Sequence, residues 1–215
     1  MDLEPSKLGT KAYWDEFYSR EIRNFQENPQ DTGECWFDDS GAEDRMVDYI
    51  AEEEGSVIDL NAESRVLDLG TGNGHLLFSL RDAGVPGSFL GIDYSEPSVN
   101  FAHKVAVAHD ISGVSFQHHD LLQDSPIQPP FDLILDKGTL DAIALSDDRE
   151  AKSKYVEKVR SMIKHTGKFM ITSCNFTKKE LTTLIDLPLA DEIVYPQFHF
   201  GGQTGSSVVT LVFGK

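Results

Sequence analysis

An α/β fold with a largely parallel sheet is predicted by three observations. From Arg65 onward, short apolar runs alternate with helical segments, the pattern of βαβ units. The runs Val66–Leu69, Phe89–Asp93, Val114–Gln117, Leu133–Asp136 and Lys168–Thr172 read as buried strands. Between them, His75–Ala83, Pro97–His109 and Lys154–Lys164 read as helices, the last with Tyr155, Val159, Met162 and Ile163 on one face, so both faces of the sheet can be covered.

The flanking segments complete the prediction. Trp14, Phe17, Tyr18, Ile22 and Phe25 recur at helical spacing and predict one amphipathic helix between Lys11 and Phe25. A turn follows at Asn28-Pro29-Gln30-Asp31-Thr32-Gly33, and a second helix carries Met46, Val47, Ile50 and Ala51 and ends at Gly55. Near the other end, Glu192–Phe200 and Ser207–Phe213 are strand-like runs joined by Gly201-Gly202-Gln203-Thr204-Gly205, too short for a helical crossover, which predicts an antiparallel hairpin. At 215 residues and 40% hydrophobic, the chain suits a single α/β domain, with residues 1–64 as an N-terminal helical cap and 65–215 as a Rossmann-like core.

Composition narrows the function. Thirty-six acidic against 19 basic residues give a formal charge of −17, which repels a phosphate backbone and argues against nucleic acid as partner. The same charge serves solubility or attracts a basic macromolecule, and charge alone does not choose. Cys35 and Cys174 form no disulfide framework and have no zinc-type spacing, so two reduced thiols and no metal are expected. His118 and His119 lack a third ligand at suitable spacing and are read as structural. No run approaches ~18 apolar residues and the start of the chain has no signal-peptide pattern, which points to the cytoplasm and away from a membrane.

The chemistry concentrates after the first strand. Val66-Leu67-Asp68-Leu69-Gly70-Thr71-Gly72-Asn73-Gly74 runs from a strand into a glycine-rich turn that opens a helix, so a ligand can approach bare backbone beside a donor-rich helix end. Asp93 ends the next strand, 19 residues after Gly74, where a carboxylate can accept from ribose hydroxyls, with Tyr94 beside it. The dinucleotide fingerprint wants glycine where His75 stands. S-adenosylmethionine carries a sulfonium cation and no diphosphate, so carboxylates such as Asp68 and Asp136 near the turn favour it over a dinucleotide. Asp120 follows the third strand, where it either accepts from an adenine amino group, with Leu121 packed on the ring, or sits in a surface turn.

These residues, together with Phe131-Asp132-Leu133-Ile134-Leu135-Asp136, resemble the class I S-adenosylmethionine-dependent methyltransferases. Within that class, Gly9-Thr10-Lys11-Ala12-Tyr13-Trp14, Gly33-Glu34-Cys35-Trp36-Phe37, Asp136-Lys137-Gly138-Thr139-Leu140-Asp141 and Phe200-Gly201-Gly202-Gln203-Thr204-Gly205 resemble the fungal and animal lysine methyltransferases of translation elongation factor 1-alpha. The resemblance implies a seven-stranded, mostly parallel sheet with a final reversed strand, residence in the cytoplasm, and a protein lysine, on basic elongation factor 1-alpha, as acceptor. Many amine-directed relatives carry Asn or Asp, two prolines and an aromatic residue after the fourth strand. Asp136-Lys137-Gly138-Thr139 keeps the first acidic position and loses the aromatic, which makes a flat nucleobase amine a poor acceptor.

On this reading the cofactor lies on Asp68, Gly70, Thr71, Gly72, Asn73, Gly74, Asp93, Tyr94, Asp120 and Leu121, and Asp136 orients the acceptor amine, with capping of backbone donors as its alternative role. Lys137 would repel a cationic donor, so it points outward or pairs with Asp141 or another acid, and Thr139 caps the following helix. Trp14, Trp36 and Phe37 are either core or an aromatic flap. Trp14 is assigned to the core, and Trp36, with Lys137 and Thr139, to the acceptor channel. The competing functions are a small-molecule N- or O-methyltransferase, a nucleotide-binding oxidoreductase, and an inactive binding module.

Overall fold

The structure is a computed structural model that describes residues 3–52, 55–196, 198–200, 203–205 and 208–215. Two helices come first, α1 (Lys11–Glu27) and α2 (Ala42–Ala51). The alternating core follows as β1 (Arg65–Leu69), α3 (His75–Asp82), β2 (Ser88–Asp93), α4 (Glu96–Ala108), β3 (Val114–His118), β4 (Phe131–Lys137), α5 (Thr139–Ala144), α6 (Ala151–Met162) and β5 (Ile163–Ser173). The remaining elements are α7 (Lys178–Ile185), β6 (Leu189–Ile193), β7 (Phe198–Phe200), β8 (Gln203–Gly205) and β9 (Val209–Gly214).

Seven strands form one sheet in the order β3-β2-β1-β4-β5-β9-β6. The first five are parallel, and β9 is antiparallel to both β5 and β6, so it alone is reversed. The strands alternate between two apolar layers, as a sheet covered on both faces must. Val66, Leu133, Leu135, Met170 and Val212 pack with α1 to α4. Their neighbours Leu67, Ile134, Phe169, Ile171, Leu211 and Phe213 face the other way, onto α5 to α7. Phe17, Tyr18, Phe25, Met46 and Ile50 of the first two helices thus belong to the same apolar layer as α3 and α4.

Helix starts follow local chemistry. Thr10 and Ser95 cap α1 and α4 through their side-chain oxygens, and Thr177 with Glu180 forms a capping box on α7. Two expectations require correction. The run Glu192–Phe200 is not one strand: β6 ends at Ile193, Val194-Tyr195-Pro196 leave the sheet, and Phe198–Phe200 pairs with Gln203–Gly205 in a separate two-stranded unit. The antiparallel partner of β9 is therefore β6. Gly201, Gly202 and Ser207 lie outside the described residues. Thr139 is not a cap either: Gly138, at φ 88°, takes that position, and the Thr139 hydroxyl donates to Leu69 O at 2.5 Å, tying α5 to the glycine turn.

Candidate active site

In a doubly wound sheet, ligands bind beyond the carboxyl ends of the strands where the strand order reverses, here between β1 and β4. A cavity of about 330 Å³ opens there, within the usual range for small-molecule sites. Residues 70–73 after β1, 93–94 at the end of β2, 119–122 after β3, 137–139 and 141–142 from the end of β4, and 174–175 after β5 all line it. Trp14 and Tyr18 of α1, and Glu34, Trp36 and Phe37 of the following loop, close it from above the sheet edge.

The glycine turn is built for close approach. Gly72 has φ 59°, and a Cβ there would lie 2.5 Å from the Tyr18 hydroxyl. Its amide donates to Asp93 Oδ2 at 3.1 Å, while Asp93 Oδ1 accepts from Ser95 N at 2.8 Å. Asp93 is thus held by backbone, with lone pairs left for a ligand. Asn73 turns away from the sheet: its Nδ2 donates to Thr32 O at 3.0 Å and Glu34 O at 3.2 Å, fastening the loop over the cavity. Asp68 is buried beneath the turn, and burial pushes its carboxyl up to about 7. Asp120 accepts from Leu122 N and Gln123 N through Oδ1, and Leu121 is buried beside it.

The loop side differs from expectation in several places. Asp136 does not line the cavity. It is fully buried, Oδ1 accepts from Thr139 N at 2.8 Å, Oδ2 accepts from Leu140 N at 3.0 Å, and the Tyr155 hydroxyl also donates to Oδ2. With Gly138 in the N-cap position, these bonds satisfy the first amides of α5, the alternative role expected of Asp136, and burial raises its carboxyl to about 7. The carboxylate of this segment that does line the cavity is Asp141. It accepts from Ser173 Oγ at 2.5 Å and Cys174 N at 3.0 Å, and burial raises its pKa.

Of the roles expected for Lys137, pairing with an acid is the one found. Its ammonium donates to Trp36 O at 2.9 Å and pairs with Glu43 Oε2 at 3.4 Å, so its partner is Glu43 rather than Asp141. Glu43 was not anticipated, because no pattern links position 43 to position 137. Burial disfavours its charge, yet hydrogen bonding from His75 and the Lys137 charge outweigh this and hold it at about 2. Trp36 packs on Trp14 and Phe17 at ring-centroid distances of 5.5 and 6.0 Å. Trp14, expected in the core, packs on it and also reaches the cavity. Phe37 adopts φ 71° and lies over Gly138, where a Cβ would come within 2.7 Å of the ring. That approach requires glycine at position 138.

The cavity suits a sulfonium nucleoside. Its lining carries Glu34, Asp68, Asp93, Asp120 and Asp141, against Lys137, already paired, and His75, paired with Glu43. Trp36 Nε1 and His119 Nε2, both on residues of the lining, are buried without a hydrogen-bond partner among the described residues, which leaves polar atoms for a bound molecule to satisfy. S-adenosylmethionine, when bound, supplies an electrophilic methyl group on a cationic sulfur.

Comparison with known proteins places this architecture. A methyltransferase-domain family model matches residues 60–200. The chain is 44% identical to the protein-lysine N-methyltransferase EFM4 of Saccharomyces cerevisiae, over 100% of this chain and 97% of the relative. It is 38% identical to the human EEF1A lysine methyltransferase 2, over 98% of this chain and 88% of that protein. Among solved structures, a TehB-like methyltransferase from Corynebacterium glutamicum shares the fold at TM-score 0.62 and 18% identity, covering 94% of this chain and 97% of its own. With a glycine turn at the switch point, an acid-lined cavity and full-length likeness to these enzymes, the chain belongs to the S-adenosylmethionine-dependent protein-lysine N-methyltransferases.

Proposed function

We propose that this enzyme methylates a lysine of folded translation elongation factor 1-alpha. The observation that carries the reading is the full-length likeness to relatives named for that substrate, 40% identity in Danio rerio and 38% in human. The whole chain acts as one methyltransferase domain, with residues 1–64 as the cap that bears part of the acceptor channel. No helix among the described residues is long and apolar enough to cross a membrane, and we place the reaction in the cytoplasm.

The glycine-turn side is the donor end. Gly70 to Gly74 present backbone, Asp93 takes the ribose hydroxyls, Tyr94 and Leu121 flank the adenine, and Asp120 accepts from its amino group. Asp68 sets the negative potential for the sulfonium. The loop side is the acceptor end, walled by Trp36 and Phe37. A lysine amine, with a reference pKa of ~10.4, must shed its proton before its lone pair can attack. Desolvation between the aromatic walls favours that loss, and Asp141, held rigidly by Ser173 and Cys174, orients the amine and stabilises its growing positive charge. Thr139 ties this end to the glycine turn, and Lys137, neutralised by Glu43, holds Trp36 by its carbonyl. Asp136 is a positioning residue that acts through α5. Holding the amine near ~3 Å from its target supplies much of the acceleration.

The charge of −17 disfavours nucleic acid and suits encounter with a basic protein face. Purified enzyme, labelled donor and folded elongation factor 1-alpha are expected to yield label on one lysine, mapped by mass spectrometry. Its kcat/KM is expected to fall as salt shortens the Debye length from ~10 Å at 0.1 M to ~3 Å at 1 M. Label on another lysate protein or on a small amine, with none on the factor, refutes the substrate assignment.

A further inference from the structure

Beside the cavity, three side chains from separate segments converge: Cys35 of the loop after α1, Glu43 in the first turn of α2, and His75 at the start of α3. Their sulfur, oxygen and nitrogen atoms lie within 4.8 Å of one another. Cys35 Sγ is 3.5 Å from Glu43 Oε2 and 3.8 Å from His75 Nδ1, and His75 Nδ1 is 2.5 Å from Glu43 Oε1. The methyl-transfer reading uses none of these three groups directly.

Two chemistries suit a thiol, an imidazole and a carboxylate. A nucleophilic relay needs the thiol on one ring nitrogen and the carboxylate on the other. Here both face Nδ1, so no proton can pass through the ring from sulfur to carboxylate. Convergence on one point is instead the geometry of ion coordination. With bonds of about 2.3 Å to sulfur and 2.0–2.2 Å to nitrogen or oxygen, the sulfur edges of a tetrahedral site measure roughly 3.5 Å. The two observed sulfur distances, 3.5 and 3.8 Å, fall close to that value. The remaining contact, from His75 Nδ1 to the other carboxylate oxygen, Glu43 Oε1, is a hydrogen bond that opens once a metal replaces the proton and one Glu43 oxygen turns to the ion.

We propose that Cys35, Glu43 and His75 form a binding site for a divalent transition metal of the zinc type, with a fourth position open to water. Mixed sulfur, nitrogen and oxygen donors select such ions over magnesium or calcium. The metal forms bonds to Sγ, Nδ1 and a Glu43 oxygen, and the displaced thiol and ring protons leave to solvent. Lys137 does not block it. Its ammonium is hydrogen-bonded to Trp36 O at 2.9 Å, whereas its 3.4 Å separation from Glu43 exceeds a strong charge-assisted bond, so Glu43 can turn to the ion while Lys137 keeps its main anchor. Glu34, Asp38 and Asp39 line the shallow recess over Cys35 and draw cations toward it. A bound ion staples the 33–37 loop, which carries Trp36, to α2 and α3.

The test uses the reduced full-length protein titrated with Co²⁺ as an optical probe and Zn²⁺ as competitor. A thiolate-to-cobalt charge-transfer band is expected to saturate at one ion per chain and to be bleached by one equivalent of Zn²⁺. The band is expected to vanish in Cys35→Ser, to persist in Cys174→Ser, and to need at least tenfold more Co²⁺ in His75→Ala. Native mass spectrometry of the wild type gives the stoichiometry independently, should Cys35→Ser fail to fold by circular dichroism. No band in the wild type, or a band that survives Cys35→Ser or is lost only in Cys174→Ser, overturns the site.

Discussion

At the glycine-turn side of the cavity, residues 70–73, Asp93 and Asp120 each stand within a few residues of a strand end, and their geometry follows from the strand that carries them. At the loop side, Trp36, Lys137, Asp141 and Asn175 come from segments spread across most of the chain; Glu43 holds Lys137, and Asn73 holds the loop that carries Trp36. The first side is a property of a motif. The second is a property of the assembled fold, in which a carboxylate's neighbours matter more than its place in a sequence pattern. Asp136 and Asp141 make the point within one segment: both are acidic and buried, yet only Asp141 reaches the cavity.

The largest expected effect separates those two carboxylates. Asp141→Ala should lower kcat by roughly 10²–10³ while donor affinity, measured by calorimetry, changes little, the signature of a group acting on the acceptor. Asp136→Ala should instead strand the buried donors Thr139 N, Leu140 N and the Tyr155 hydroxyl, costing ~3 kcal/mol in chemical denaturation. If Asp136→Ala folds with wild-type stability yet loses turnover, and Asp141→Ala keeps it, the roles are reversed and the comparison breaks.

Next in size, Asp93→Ala should weaken S-adenosylmethionine binding by roughly tenfold to a hundredfold, ~1.5–3 kcal/mol, through loss of a charged acceptor. An unchanged dissociation constant in a folded variant would remove Asp93 from the donor end.

The smallest effect sharpens the electrostatics of the same end. Burial raises Asp68 to about 7, so it is mostly protonated below that pH and ionised above it. A cationic donor favours the ionised form, so its affinity should rise severalfold between about pH 6 and 8, with proton release on binding below pH 7. Calorimetry in buffers of different ionisation enthalpy reads both. Asp68→Asn should flatten the profile, and an equally steep profile in that variant assigns the titration elsewhere.

The five parallel strands are legible because each is an apolar run bounded by turn residues, and the glycine turn because three glycines at fixed offsets have few other uses. Residue type predicts Thr139 as a cap, but Gly138, which admits both the φ of 88° and the Phe37 ring, takes the position and frees the hydroxyl for Leu69. The pairing of Lys137 with Glu43 was invisible because charge pairing between distant segments leaves no periodic trace. The strand run after Glu192 failed for a local reason. Tyr195 leaves the sheet to pack with Ala42 and Val208, and its hydroxyl bonds to the Thr210 hydroxyl at 2.7 Å, ending β6 where alternation alone would have continued it.

The reversed strand has a consequence for how the enzyme comes into being. β9 is the last strand of the sheet to be synthesised, yet it occupies an interior slot between β5 and β6. Until Val209–Gly214 has cleared the ribosome, β5 presents an open hydrogen-bonding edge, and Phe169 and Ile171 lack their partners Phe213 and Leu211. A chain whose β9 has not yet been made or docked therefore carries an unpaired apolar edge, a template for intermolecular strand pairing. Insertion of β9 between β5 and β6 is the step that closes this edge, so the sheet is complete only once its last-made strand has reached an interior slot.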